Sequence, residues 1–202
     1  MLLYIKYILK WVIVSMNTVL ASKSPRRKEL LGLLDLDFEI ITADIDETMD
    51  PALSVNEEVA RLSYEKASAI KAKVSPDTVI ISADTVVELN GRVMGKPKNE
   101  QDAFDMLKNL SGNNHNVLTG VTVIQGDKHI TKVVTTKVYF RNITDDEILS
   151  YIETLEPMDK AGAYGIQGRA SKFVQKIDGD YFNVVGLPVC ELSLILKEFG
   201  IN

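Results

Sequence analysis

Four stretches of the chain carry polar side chains whose types and spacing suit chemistry on a phosphorylated ligand. The first is Ser22-Lys23-Ser24-Pro25-Arg26-Arg27. Ser24 and Pro25 read as an N-cap and first-turn proline, so the two hydroxyls and two guanidiniums gather where a helix start offers unpaired N–H groups. Such a junction is either an anion cradle or an ordinary Ser-Pro cap with solvated arginines. The second is Asp84, within the apolar run Thr78 to Leu89. Burying an ionised carboxylate costs several kcal/mol unless it is paired, so Asp84 is either bonded to nearby backbone N–H groups or serves as a metal ligand or general base.

The third is the dispersed set Glu47, Lys66 and Lys96, with Lys96 in the stiff Gly95-Lys96-Pro97. Singly each reads as a solvated charge; beside an anion cradle and a cation they supply what phosphoryl chemistry needs, namely positioning and charge stabilisation. The fourth is Asp159 to Gly168, where three glycines in seven residues suggest close backbone approach to a flat ligand. The amide of Gln167 there both donates and accepts, matching a pyrimidine edge. His115 and His129 have no serine or cysteine partner at a recognisable spacing and read as incidental.

The elements needed to position these residues follow from patterning. Asn17 to Ala21 and Phe38 to Thr42 read as strands around a helix over Arg26 to Leu34. Ser54 and Glu57 have capping-box spacing for a long amphipathic helix to about Lys73. Thr78 to Leu89 turns at Asn90-Gly91 into Arg92 to Met94, and Asn99 caps a helix to Leu110. Strands at Val117 to Ile124 and Ile130 to Arg141, a helix from Thr144 to Thr154, a strand at Lys172 to Ile177 and a helix from Pro188 to Phe199 complete the reading. The pattern predicts an α/β fold, a mixed β-sheet flanked by helices, with ligand loops at strand ends.

Composition narrows the options. With 202 residues, 46% of them hydrophobic, the chain has material for a sizeable core and carries no repeat or low-complexity tract. A charge of −5, from 28 acids against 23 bases, argues against a nucleic-acid partner. The lone Cys190 forms no intrachain disulfide and fits a reducing cytoplasm. Residues 1–15 are apolar, but Lys6 and Lys10 interrupt any membrane span. A weak signal peptide is the other reading of this stretch, yet cleavage after it would remove the first strand. The preferred expectation is an extension or a misassigned start before Met16, with one catalytic domain over 16–202.

Ala21 to Arg27, Ala83-Asp84-Thr85-Val86-Val87, Gly95-Lys96-Pro97, Leu110-Ser111-Gly112 with Thr119-Gly120-Val121, and Pro157 to Gly168 together resemble the Maf family of nucleoside triphosphate pyrophosphatases, in order from about Asn17 onward. The branch resembled acts on dTTP and UTP. This resemblance implies a fold shared with inosine-triphosphate pyrophosphatases, a divalent cation (Mg²⁺ or Mn²⁺), and cleavage between α and β phosphates. It makes Asp84 the catalytic carboxylate, Arg26, Thr85 and Gln167 the selectivity residues, and Ser22, Ser24, Arg27, Lys66 and Lys96 phosphate ligands, with Glu47 beside Asp84 at the metal. It also allows a homodimer. The competing expectation is a non-catalytic nucleotide or nucleic-acid binding regulator linked to cell division.

Overall fold

The computed structural model describes residues 17–42 and 44–201. The expectation for residues 1–15 lies outside them. Among the described residues no helix is long and apolar enough to cross a membrane.

Among the described residues seven strands form one mixed sheet: β1 (Thr18–Leu20), β2 (Phe38–Ile40), β3 (Val79–Leu89), β4 (Arg92–Met94), β5 (Asn114–Gln125), β6 (Lys128–Phe140) and β7 (Val174–Asp178). Their order is β2-β1-β3-β5-β6-β7, with β4 also paired to β3. β1 runs parallel to β2 and β3, and the remaining pairings are antiparallel. Asn90 and Gly91, with φ of 52° and 79°, make the tight β3–β4 turn that an Asn-Gly pair favours.

Among the described residues six α-helices flank the sheet: α1 (Pro25–Gly32), α2 (Val55–Lys71), α3 (Glu100–Leu110), α4 (Asp145–Ile152), α5 (Tyr181–Val185) and α6 (Val189–Glu198). Ser54 and Glu57 close a capping box on α2, and Thr144 and Glu147 close one on α4. Asn99 accepts the Asp102 N–H to cap α3.

Strand alternation sorts β3 between the two faces of the sheet. Ile81, Ala83 and Val87 join the large cluster with Leu107, Ile148, Phe173 and Leu192. Ile80 packs with Ala67 and Ile70 of α2, and Val86 with Val59 of α2. Helix α2 lies very close to the sheet: a Cβ at Gly120 would come within 2.4 Å of the Val59 carbonyl oxygen.

Two parts of the fold differ from the sequence expectation. The segment 181–185 forms the short helix α5, started by Asp180 accepting the Phe182 N–H. The glycine-bearing stretch is not an open loop, since 3₁₀ turns occupy Glu156–Asp159, Ala161–Ala163 and Arg169–Phe173. Both are too short for hydrophobic periodicity to register.

Candidate active site

A gap in sheet pairing creates the site. β5 covers one edge of β3 from Ile80 to Glu88. β1 and β4 therefore share the other edge, β1 reaching Ile81 and β4 beginning at Val87. Between them Ser82 to Val86 have no strand partner on that side, and the Ser22–Arg27 turn lies against the opening. The result is a cleft of about 680 Å³.

Asp84 and Thr85 sit in this gap and, by alternation, face opposite sides of the sheet. Asp84 points toward α2, where the Lys66 ammonium donates to its Oδ1 at 2.5 Å and contacts Glu47 Oε1 at 2.8 Å. The Asp84 and Lys66 side chains are only 11% and 13% exposed, so this is a largely buried pair with one open side. Of the two readings of Asp84, the one that spends it on local backbone N–H groups is not what the structure shows. Its partner is the Lys66 ammonium, on another element.

Two carboxylates converging on one cationic nitrogen make a cation-binding focus. No group of three or more acidic, histidine or cysteine side chains gathers among the described residues. A pair suits Mg²⁺, which keeps several waters and is commonly held by one or two carboxylates plus substrate phosphate oxygens.

Thr85 points the other way, into the arginine turn. Arg27 Nη2 donates to Thr85 Oγ1 at 2.9 Å, and Arg27 Nε donates to the Gly186 carbonyl at 2.8 Å. Thr85 Oγ1 also pairs with Thr119 Oγ1 at 2.9 Å, and Thr119 donates to the Asn183 carbonyl. Burial pulls the Arg27 pKa below its ordinary value, and Asp84 opposes that shift. Arg27 is thus no solvated cap residue: α1 orients it, and β3 and the end of α5 hold its fork. Ser24 caps α1 by accepting the Arg27 N–H, and Ser22 Oγ accepts the Ser24 N–H. Arg26 makes only a long contact, 3.9 Å, to Asp159.

Lys96 is exposed on the far rim, and Gln167 is exposed on the 165–169 turn with no hydrogen bond to the described residues. The Cβ side of each glycine near Gln167 faces protein, while Gly165 and Gly168 also line the cleft. A Cβ at Gly162 would meet Val87, one at Gly165 the Lys160 stem, and one at Gly168 the Glu156 carboxylate. The Gly162 N–H also donates to the Gly95 carbonyl at 3.0 Å, joining this stretch to the Lys96 turn.

The model of the family described as Maf-like protein matches residues 17–199. The chain belongs to the Maf family. This Maf chain is 52% identical over 187 residues to a protein of Alkaliphilus oremlandii named dTTP/UTP pyrophosphatase, covering 91% of this chain and 97% of that one. It is 50% identical over 192 residues to the protein of that name from Acetivibrio thermocellus, covering 91% and 96%. Among solved structures it is similar to the Staphylococcus aureus Ham1 protein, at 19% identity and TM-score 0.48, covering 90% of this chain and 98% of that one.

In this Maf protein the cleft brings together every site residue the sequence suggested: Ser22, Ser24, Arg26 and Arg27 from the turn, Glu47 and Lys66 with Asp84, and Thr85, Lys96 and Gln167. Sequence reasoning missed Glu156 and Gly186 and gave no role to Lys160 and Tyr164 within its fourth stretch, and all four line the same cleft. The Asp180 cap followed by Gly186 was the available signal for the last. Tyr164 also gives His115 a role in the core. His115 is 2% exposed, its Nε2 pairs with Tyr164 Oη at 2.8 Å, and burial lowers its pKa to about 4.

Proposed function

We propose that the protein is a nucleoside triphosphate pyrophosphatase that hydrolyses dTTP and UTP to the monophosphate and pyrophosphate, using Mg²⁺ or Mn²⁺. The observation that carries this reading is the meeting of Asp84 with the Ser22–Arg27 turn in one cleft, in a chain half identical to proteins named for that activity. A carboxylate lining the same cleft as an anion cradle repels the anion unless a cation or a proton transfer is involved, so a purely binding regulator has no use for it. Formal charge −5 disfavours nucleic acid as partner.

Glu47 and Asp84 would hold the cation, which when bound supplies charge neutralisation and a more acidic bound water. Arg27, locked by Thr85 and Gly186, presents its remaining donors to phosphate oxygens. Ser22, Ser24, Lys66 and Lys96 add donors around the triphosphate, and Arg26 lies beside them. Asp84 takes a proton from the attacking water as its oxygen bonds to phosphorus. The bond between the α and β phosphates breaks, and pyrophosphate leaves with its new charge facing the arginines. Gln167 and Thr85, with Arg26, select the base.

The catalytic domain in this reading runs over residues 16–202, and the single cysteine accords with a cytoplasmic enzyme. A homodimer is compatible with it. The test is a panel of canonical and modified nucleoside triphosphates with Mg²⁺ or Mn²⁺, scoring pyrophosphate and orthophosphate separately. Pyrophosphate from dTTP and UTP ahead of purine nucleotides is expected. Orthophosphate as the primary product would overturn the assignment of the scissile bond.

A further inference from the structure

The turn that carries Gln167 is fastened at both ends to one pair of side chains. Tyr151, 2% exposed near the end of α4, accepts the Gly165 N–H on its hydroxyl at 3.2 Å. That hydroxyl donates to Glu156 Oε1 at 2.9 Å. Both Glu156 carboxylate oxygens in turn lie 3.1 Å from the Arg169 backbone nitrogen, whose N–H they share. Within the turn the Gly168 N–H donates to the Gly165 carbonyl at 3.0 Å, and flanking Ile166 and Ala170 are buried.

The seat has no slack. A Cβ at Gly168 would lie 2.0 Å from Glu156 Oε1, and one at Gly165 would lie 2.6 Å from Lys160 Cε. Lys160 Nζ is tied to the Glu156 carbonyl at 2.6 Å. Glu156 itself follows Leu155, held at φ 59°, which turns the chain sharply after α4. Gln167 and Arg169 are the exposed residues of this turn, and of the two Gln167 lines the cleft, with an amide that bonds none of the described residues.

We propose that Tyr151 and Glu156 are positioning residues for base selection: together they staple the Gly165–Arg169 turn so that the Gln167 amide meets the base edge in one orientation. This inference rests on the functional reading above. A hydrogen-bonding amide discriminates only while its direction is fixed, because a free one re-aims toward the wrong base.

The experiment compares Tyr151→Phe, which removes one oxygen, and Glu156→Gln, which keeps side-chain volume, with the unsubstituted enzyme. Readouts are kcat and KM for UTP, dTTP and two purine triphosphates, inhibition by inorganic tripolyphosphate, and amide hydrogen exchange over residues 165–169. Each variant should lose about 10-fold in pyrimidine-over-purine preference, mainly through KM. Tripolyphosphate inhibition should hold within about twofold, since that ligand has no base to read. Exchange at the turn should accelerate. In a Gln167→Ala background, Tyr151→Phe should change the preference no further, as expected for two residues acting through one group.

Unchanged exchange at the turn, or a further loss of preference in the Gln167→Ala background, would overturn the staple. Should Tyr151→Phe fail to fold, Glu156→Gln decides by the same readouts. An unsubstituted enzyme with no base preference would overturn the functional reading and the staple's role together. Preference retained by all three proteins would overturn the staple alone.

Discussion

The Lys66 ammonium stands 2.5 Å from Asp84 Oδ1, bridging α2 to the unpaired stretch of β3. That contact reports the charge pattern of the site, in which a carboxylate beside the serine and arginine turn is paired with a cation from the opposite element. Asp84→Asn should retain the fold while pyrophosphate release falls by about 100-fold or more, as on losing a general base or metal ligand. Near-normal turnover would remove Asp84 from the mechanism. Lys66→Met leaves a largely buried carboxylate without its ammonium and should cost about 3 kcal/mol in chemical denaturation, besides weakening triphosphate binding.

Chelation should stop pyrophosphate release, and added Mg²⁺ or Mn²⁺ should restore it. Glu47→Gln removes one of two converging carboxylates, so restoration should require about 10-fold more cation at similar maximal rate. Titrating Mn²⁺ against activity in the two proteins checks this. An identical midpoint would free Glu47 from any metal role.

Arg27→Lys keeps the charge and loses the fork that spans Thr85 and Gly186. A lysine ammonium cannot satisfy both acceptors and a phosphate in that geometry. We expect kcat/KM for dTTP to fall about 50-fold, from a misplaced charge at the phosphate site. A loss below threefold would mean that the fork is dispensable.

Gln167→Ala should blur base preference more than it reduces turnover, because the proposed base reader stands apart from Asp84. Identical ranking of pyrimidine and purine triphosphates in variant and parent would show that the turn does not read the base.

His115 predicts a pH dependence of folding. Its pKa is lowered from 6.5 to about 4 in the folded protein by burial. The unfolded chain therefore binds a proton first as pH falls, and stability should decline between pH 6.5 and 4, levelling below. The contribution is about 3 kcal/mol at most. Denaturation at several pH values should show a shallower slope across that window in His115→Gln.

Legibility in the sequence tracked how local each signal was. Ser24-Pro25, Ser54 with Glu57, Asn99 and Thr144 with Glu147 marked helix starts within a residue, because capping is settled by side chains a few positions apart. Asn90-Gly91 marked its turn for the same reason. β1 came out shorter than its apolar run and α5 went unread, since both depend on what lies opposite them.

Residue types and order alone pointed to an α/β chain with an arginine-bearing Ser-Pro helix start, a carboxylate in an apolar strand and an amide on a glycine-bearing turn. Helix caps and alternating hydrophobics are short-range physics, and motifs are preserved in chain order. What distant segments do to one another was decided in three dimensions. The gap between β1 and β4 opens the cleft, Asp84 and Thr85 diverge to opposite faces, and Arg27 is fixed by a carbonyl 159 residues away. Tyr151 and Glu156 acquire their hold on the Gln167 turn in the same way. Such contacts arise from packing and hydrogen-bond satisfaction between elements, for which no spacing in the linear chain is a proxy.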